Sequence, residues 1–338
     1  MNLKYRHDQR MNDSLQQLIL AATGADSLFG IEEIQSLWSG YGTLFRCGLV
    51  GADFDRIVVK HVKLPDRSQH PRGWNTRLSH QRKIRSYEVE SAWYQNYSEL
   101  CDQRCRVPRC LALESNDTEF LIIMEDLSAS GFSLCKERVS QEEIRTCLNW
   151  LAHFHATFMG RSPDSLWQVG TYWHLATRPD ELKALSDGAL KASASGIDQK
   201  LQDCPYQTFV HGDAKLANFC FSGNGQRVSA VDFQYVGGGC GIKDVAYFIG
   251  SCLDETACEI YETPLLDYYF EQLKIALSER KVLVDADAVA QSWRSLYRFA
   301  WADFHRFLKG WSPGHWKMHG YSERMTRQAL KQLGNKTE

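Results

Sequence analysis

The stretch Phe209-Val210-His211-Gly212-Asp213-Ala214-Lys215-Leu216-Ala217-Asn218, followed by Val231-Asp232-Phe233-Gln234, constrains this chain more than any other. Two short apolar runs, Thr208 to Val210 and Val228 to Val231, each lead into an aspartate. Runs of this composition read as strands, so Asp213 and Asp232 are expected where strands end. Gly212 permits a backbone angle closed to other residues, directly beside Asp213. A carboxylate at 213 can take the proton of an attacking hydroxyl. The Asn218 amide and the Asp232 carboxylate can hold a Mg²⁺ ion that bridges nucleotide phosphates. His211 is expected to support the loop by hydrogen bonding rather than to do chemistry. Lys215 reads equally as an ammonium for the transferring phosphoryl group and as a solvated lysine.

Composition narrows the field. A length of 338 residues suits two units of unequal size better than one core. A content of 43% hydrophobic and 24% charged residues is that of a globular protein. The formal net charge of −2 provides no basic field for nucleic acid or acidic membrane. Lys and Arg cluster between Arg67 and Arg85, but acidic residues follow at once. The basic start (Lys4, Arg6, Arg10) precedes an apolar run, Leu18 to Ala22, too short for a signal segment. No run approaches the ~18 apolar residues of a membrane span. Eleven cysteines form no C-x-x-C pair, and no His near Cys101, Cys105 and Cys110 completes a zinc pattern. An odd number of cysteines without a secretory segment points to reduced thiols and a cytoplasmic setting. Neither nucleic acid nor membrane is expected as a partner, and composition is silent on oligomeric state.

The order of elements suggests an α+β architecture. Asp13 and Ser14 are positioned to cap a helix carrying Leu15, Leu18 and Ile19, ending near Gly24. Strands follow from about 31 to 63, with Ser39-Gly40-Tyr41-Gly42-Thr43 as a hairpin turn and Ile57 to Lys63 as a β-branched run. A polar loop at 65–81 leads to a helix over 84–100, and Phe120 to Met124 reads as a buried strand. Beyond residue 130 the pattern is helical: 141–158 carries Ile144, Leu148, Leu151, His155 and Phe158 on one stripe. Further helices after Lys243 are expected to break near Gly250, Thr263, Asp285 and Gly310.

Other positions extend the constellation. Lys60 follows Ile57-Val58-Val59, where a strand lysine reaches α and β phosphates if a helical carboxylate orients it. Glu88 and Glu90 are the candidates; Glu90 is preferred because Trp93 and Tyr94 anchor it one turn on. Gly40 and Gly42 can cover phosphates or simply turn a hairpin. No Gly-x-x-x-x-Gly-Lys-Ser/Thr run exists, which excludes a P-loop. In Met124-Glu125-Asp126-Leu127, main-chain groups of Glu125 and Leu127 can meet an adenine edge. Asp244 is expected to cap a helix and to brace the catalytic loop. Trp293, Tyr297, Trp301, Phe304 and Leu308 form a core stripe; Trp311, Trp316 and Tyr321 follow in a Gly/Pro-containing loop where exposed aromatics can contact an amine.

At these residues the chain resembles the aminoglycoside phosphotransferase and choline kinase superfamily, and most closely its ecdysteroid-kinase-like branch. The resemblance rests on Glu125-Asp126-Leu127, on His211 to Asn218, and on Asp232 to Gln234, and spans roughly residues 30–310. It implies a protein-kinase-like two-lobed fold. Residues 1–127 would form a small strand-rich N-lobe, and 128–338 a larger, mainly helical C-lobe holding the catalytic loop and the acceptor pocket. It further implies ATP with Mg²⁺, Asp213 as base, Asn218 and Asp232 as metal ligands, and Lys60 with Glu90 as the phosphate-positioning pair. Lys215 departs from the His or Trp that the family often carries two residues past the base.

Lys215 also invites a protein-kinase reading, which the length of the following segment opposes. Asp232 and Asp244 are separated by 12 positions filled centrally by Gly237 to Gly241, and no Ala-Pro-Glu follows. The expectation is a small-molecule kinase acting on the hydroxyl of an amino alcohol, aminoglycoside-like, sugar or sterol-like acceptor. Choline-like amines would call for Trp301, Asp303 and Trp316. A nucleotide-binding pseudokinase would have lost Lys60, Asp213, Asn218 or Asp232, and all four are present. A metal-dependent hydrolase built on His211, Asp213 and Asp232 lacks a second ligand cluster.

Overall fold

The computed structural model describes residues 12–37, 40–64, 77–116 and 118–334. Lys4, Arg6 and Arg10, Ser39 of the expected turn, and the polar loop as far as residue 76 lie outside them. The chain divides into two compact units: Met1–Gly73 with Arg109–Ser130, and Trp74–Pro108 with Gly131–Glu338. A boundary at 127/128 keeps the helix after residue 76 with the strands, whereas this division groups it with the helices.

In the first unit, α1 (Asp13–Thr23) begins one residue earlier than its expected caps. Asn12 is the N-cap, its side chain accepting from the Ser14 amide at 3.0 Å. Gly24 closes the helix in the left-handed conformation that glycine tolerates best. Strands β1 (Ser27–Ser36), β2 (Gly42–Val50), β3 (Arg56–Lys63), β4 (Cys110–Ser115) and β5 (Glu119–Glu125) form one antiparallel sheet in the order β1-β2-β3-β5-β4. Alternation places Phe45, Cys47, Leu49, Ile57, Val59, Leu121 and Ile123 in a common core with Leu15 and Ile19 of α1. β4 has the composition Cys-Leu-Ala-Leu-Glu-Ser, which favours helix; pairing with β5 overrides that preference.

The second unit opens with α2 (Arg77–Asn96), which starts before residue 84 and gives way to a 3₁₀ turn at Ser98–Leu100. Then follow β6 (Leu134–Cys135), α3 (Gln141–Thr157), α4 (Pro179–Ala184), α5 (Gly188–Gln202), β7 (Thr208–Val210), β8 (Phe219–Phe221), β9 (Val228–Ala230) and β10 (Gly237–Gly239). Helices α6 (Ile242–Cys252), α7 (Glu255–Glu279), α8 (Ala286–Trp311) and α9 (Gly320–Gly334) complete the unit. α3 starts on a capping box between Ser140 and Glu143. The strands are short: β6, β8 and β9 form one ladder, and β7 pairs with β10.

Of the four expected helix breaks, those near Gly250, Asp285 and Gly310 are present, at the end of α6 (Cys252), the start of α8 and the end of α8 (Trp311), and only the one near Thr263 is corrected. α7 runs through Thr263 and Pro264, because Leu265, Leu266 and Tyr269 bury the surrounding turns and outweigh the lost donor. Gly250 and Gly310, each in the last turn of its helix, are also points of close approach. A Cβ at 250 would lie 2.7 Å from the Trp301 ring, and one at 310 would lie 1.9 Å from the Glu181 carbonyl oxygen. Asp285 does mark a start, capping α8 through the amides of Asp287 and Ala288. Trp293, Tyr297, Trp301, Phe304 and Leu308 are buried as a core stripe. Trp311 and Trp316 are exposed, but Tyr321 is fully buried and donates to Glu262 at 2.8 Å.

Gly42 has a packing reason of its own. Its φ is +149°, and a Cβ there would stand 2.0 Å from the His61 carbonyl oxygen on β3. Gly42→Ala is therefore expected to cost about 2 kcal/mol from strain and overlap. A fall in the urea midpoint of the variant checks this, and an unchanged midpoint contradicts it.

Candidate active site

The catalytic-loop residues come together within the second unit. β7 delivers His211, Gly212 and Asp213 from its C-terminal end, held by antiparallel pairing of Val210 with Gly237 and Thr208 with Gly239. Gly212 has φ +79°, and a Cβ there would sit 2.1 Å from the Tyr235 carbonyl oxygen, so the position admits only glycine. The amides of His211 and Gly212 donate to the two carboxylate oxygens of buried Asp244, at 2.6 and 3.0 Å. His155 Nε2 lies 3.2 Å from Asp244 Oδ2, and its Nδ1 lies 2.7 Å from the Tyr269 hydroxyl. Asp244 thus braces the loop, as expected. It does not cap α6: the N-cap is Gly241, without a side-chain bond.

His211 is a loop support. Its Nε2 lies 3.0 Å from the Val231 carbonyl oxygen, and its Nδ1 accepts from the Asp213 amide at 3.3 Å. A carbonyl can only accept, so the ring proton sits on Nε2. His211 therefore ties the Asp213 turn to the strand that leads to Asp232.

Asp213 is buried and its carboxylate is held asymmetrically. Oδ2 accepts from Lys215 Nζ at 2.8 Å and from the Asn218 amide nitrogen at 3.1 Å. Oδ1 accepts from the Tyr247 hydroxyl at 3.0 Å, and Tyr247 shares a 3.3 Å hydrogen bond with the hydroxyl of Tyr172. Burial pushes the Asp213 carboxyl above the usual carboxylate range, Lys215 pulls it back, and Asp232 raises it further. Burial lowers Lys215, but the carboxylates of Asp213 and Asp232 outweigh this and hold it protonated.

Asn218 and Asp232 frame the other side. The Asn218 amide nitrogen also donates to the Asp213 carbonyl at 2.8 Å, so nitrogen is spent inward and, among the described residues, the side-chain oxygen accepts no hydrogen bond. Asp232 adopts φ +69°, a strained conformation for a non-glycine residue that turns it out of the strand after β9. Phe233 stacks on Trp93 of α2 at 4.4 Å and lies 4.6 Å from the His211 ring. Gln234 Oε1 accepts from Lys83 Nζ and Ser86 Oγ of α2, at 2.8 and 3.2 Å. Asp232 is thus fixed by its neighbours on both sides of the chain. Among the described residues no group of three His, Cys, Asp or Glu side chains suits a metal. An amide oxygen beside a carboxylate does suit a hard divalent cation completed by phosphate oxygens.

The other expected residues are distributed over both units. Lys60 is buried mid-strand in β3, opposite Leu44 and Ile122, and does not end it. Glu90 is buried on α2, whereas Glu88 is exposed and paired with Arg85 at 3.0 Å, so Glu90 is the buried carboxylate of the two. Gly40 has φ +73° at the β1–β2 turn. Glu125 accepts from the Arg109 amide at 2.8 Å and from Ser130 Oγ at 3.0 Å. Next to it, buried Asp126 is clasped by Arg46, with Nε 2.6 Å from Oδ2 and Nη2 3.3 Å from Oδ1, and Leu127 is buried. Asp303, nominated for an amine, is bound instead by Arg306 at 2.8 Å and by the Trp173 indole at 3.0 Å.

Sequence reading missed Tyr172, Tyr247 and Lys317. Lys317 is 9% exposed, in the loop between α8 and α9. Its Nζ lies 4.7, 5.6 and 5.5 Å from the ring centroids of Tyr247, Phe304 and Trp316. Burial lowers it to about 8, with Asp213 acting in the opposite direction.

Comparison with known proteins gives these residues a family. A model of the ecdysteroid kinase-like family matches residues 83–167 and 165–282, more than half of the chain. No curated protein matches. Among solved structures, amicoumacin kinase hAmiN in complex with AMP-PNP, Ca²⁺ and Ami is 12% identical; the match covers 96% of this chain and 94% of that one, with a TM-score of 0.52. A choline kinase from Cryptosporidium parvum Iowa II is 10% identical, covering 91% of this chain and 89% of that one, with a TM-score of 0.51. At such identities the likeness shows the kinase-like fold. The family match reaches further: the chain belongs to the ecdysteroid kinase-like family of small-molecule kinases.

Proposed function

We propose that the chain moves the γ-phosphate of ATP, with Mg²⁺, to a hydroxyl of a small molecule, and that Asp213 is the base. The observation that carries this reading is the asymmetric clasp of Asp213. Oδ2 is spent on Lys215 and Asn218, while Oδ1 accepts only from Tyr247 among the described residues. Oδ1 is then the atom that takes the acceptor proton. Burial supports the role, because a desolvated carboxylate is a stronger base than one in water. Tyr247 holds the carboxylate plane while the proton arrives.

Lys215 acts in two ways in this reading. Its ammonium keeps Asp213 oriented and lies where negative charge gathers on the transferring group. Asn218 and Asp232 would hold Mg²⁺, which when bound neutralises phosphate charge and orients the γ-phosphate. Lys60 and Glu90 are assigned to phosphate positioning, Gly40 and Gly42 to phosphate coverage, and the main chain of Glu125 and Leu127 to the adenine edge. The Glu125 carboxylate has a structural task, since it pins Arg109 and Ser130.

Two outcomes follow. Asp213→Asn keeps the shape of the clasp but removes the base, so kcat falls by about 10²–10⁴-fold while Mg·ATP affinity stays within about twofold. Steady-state kinetics showing unchanged turnover would remove Asp213 from the role. Asp232→Ala lowers the Mg²⁺-dependent rise in melting temperature on adding ATP; an unaltered thermal-shift titration contradicts its assignment as a ligand.

A further inference from the structure

Among the described residues Lys317 is hydrogen-bonded or salt-bridged to no carboxylate, although it is only 9% exposed; the more distant charge of Asp213 favours its ammonium. Its neighbours are instead the rings of Tyr247, Phe304 and Trp316. An ammonium over aromatic faces gains some stabilisation from ring quadrupoles. That gain does not replace an anion, and burying an unpaired charge is costly. The loop that carries Lys317 is firmly held: the Lys317 amide donates to His315 Nδ1 at 3.2 Å, and the Met318 amide to the His315 carbonyl at 2.8 Å. The charge is therefore kept in place by the fold with no hydrogen-bonded anion among the described residues.

Its position relative to Asp213 points to the source of such an anion. The metal and phosphate side of the carboxylate is Oδ2, which faces Lys215 and Asn218. Lys317 stands over the ring of Tyr247, whose hydroxyl holds Oδ1. The acceptor has to approach Oδ1 for its hydroxyl proton to be taken. The aromatic faces that would receive an amine or a quaternary ammonium are already covered by the protein's own cation. The carboxylate that would have helped, Asp303, is consumed by Arg306 and Trp173.

Resting on the phosphotransferase reading, we propose that Lys317 selects the acceptor: a hydroxyl compound bearing a carboxylate or another anionic group, with cationic amino alcohols rejected. The ammonium binds the acceptor's anion, the aromatic rings flank its carbon skeleton, and the hydroxyl is left facing Asp213.

Equilibrium binding to the full chain without nucleotide tests this independently of phosphotransfer. The probes are two matched sets that differ in charge at one carbon: glucuronate, glucose and 6-amino-6-deoxyglucose, and glycerate, glycerol and 3-amino-1,2-propanediol. Intrinsic tryptophan fluorescence or calorimetry follows binding. In the wild type the acid of at least one set binds at least tenfold tighter than its neutral partner, and the amine binds weakest. Lys317→Met abolishes that order, and Lys317→Arg restores most of it. Tighter binding of the amine, equal binding within both sets, no saturable binding by either acid, or an order that survives in Lys317→Met would each overturn the proposal. Loss of ATP turnover with this charge order intact would count against the phosphotransferase reading alone.

Discussion

The carboxylate of Asp244 is the fixed point of the second unit. It is fully buried and takes the amides of His211 and Gly212, two groups that the left-handed turn at Gly212 withholds from any strand ladder. A buried amide without an acceptor costs about 1–3 kcal/mol, so the turn depends on this brace. His155, itself bonded to Tyr269, completes the shell around the charge. From this point the order spreads outward: His211 reaches Val231, Asp213 takes its place beside Lys215 and Asn218, and Phe233 stacks between Trp93 and His211.

Around Asp213 the chain separates two electrostatic surroundings only one carboxylate apart. On the Oδ2 side are a partly exposed ammonium and an amide, suited to phosphate and metal. On the Oδ1 side are two tyrosine hydroxyls, an aromatic cluster of Trp173, Tyr247, Phe304 and Phe307, and a buried lysine. With Asp213 as the proposed base, nucleotide and acceptor would face opposite oxygens of one carboxylate. The strain at Asp232 and the tight approach at Gly212 belong to the same economy of space: each holds main chain beside the carboxylate in a conformation few residues adopt.

What could be read from the chain follows the range of the interactions. Asp213, Lys215 and Asn218 lie within one short segment, and their mutual bonds are local, so spacing alone suggested them. The strands of the first sheet were legible because alternation is a two-residue signal, whereas β4 was not, because Ala, Leu and Glu favour helix and only pairing with β5 makes it a strand. Helices α4 and α5 were passed over; Gly188 and the Ser-Ala-Ser-Gly stretch of α5 weaken the periodic signal. The ends of α6 and α8 were legible at Gly250 and Gly310, whereas the closeness of these glycines to Trp301 and Glu181 is invisible along a chain. Tyr247 and Lys317 left no local mark, for their meaning lies wholly in tertiary contact with Asp213 and with the rings around it.

The central claim is that this site transfers phosphate from ATP to a hydroxyl. It is tested most directly by following Mg·ATP by ³¹P NMR with the purified chain and a panel of hydroxyl compounds, including sugars, amino alcohols, sterols and hydroxy acids. The account predicts loss of the β and γ resonances of ATP matched by equal growth of ADP and of one phosphomonoester. ADP accompanied only by inorganic phosphate, or an unchanged ATP spectrum with every compound, would contradict it.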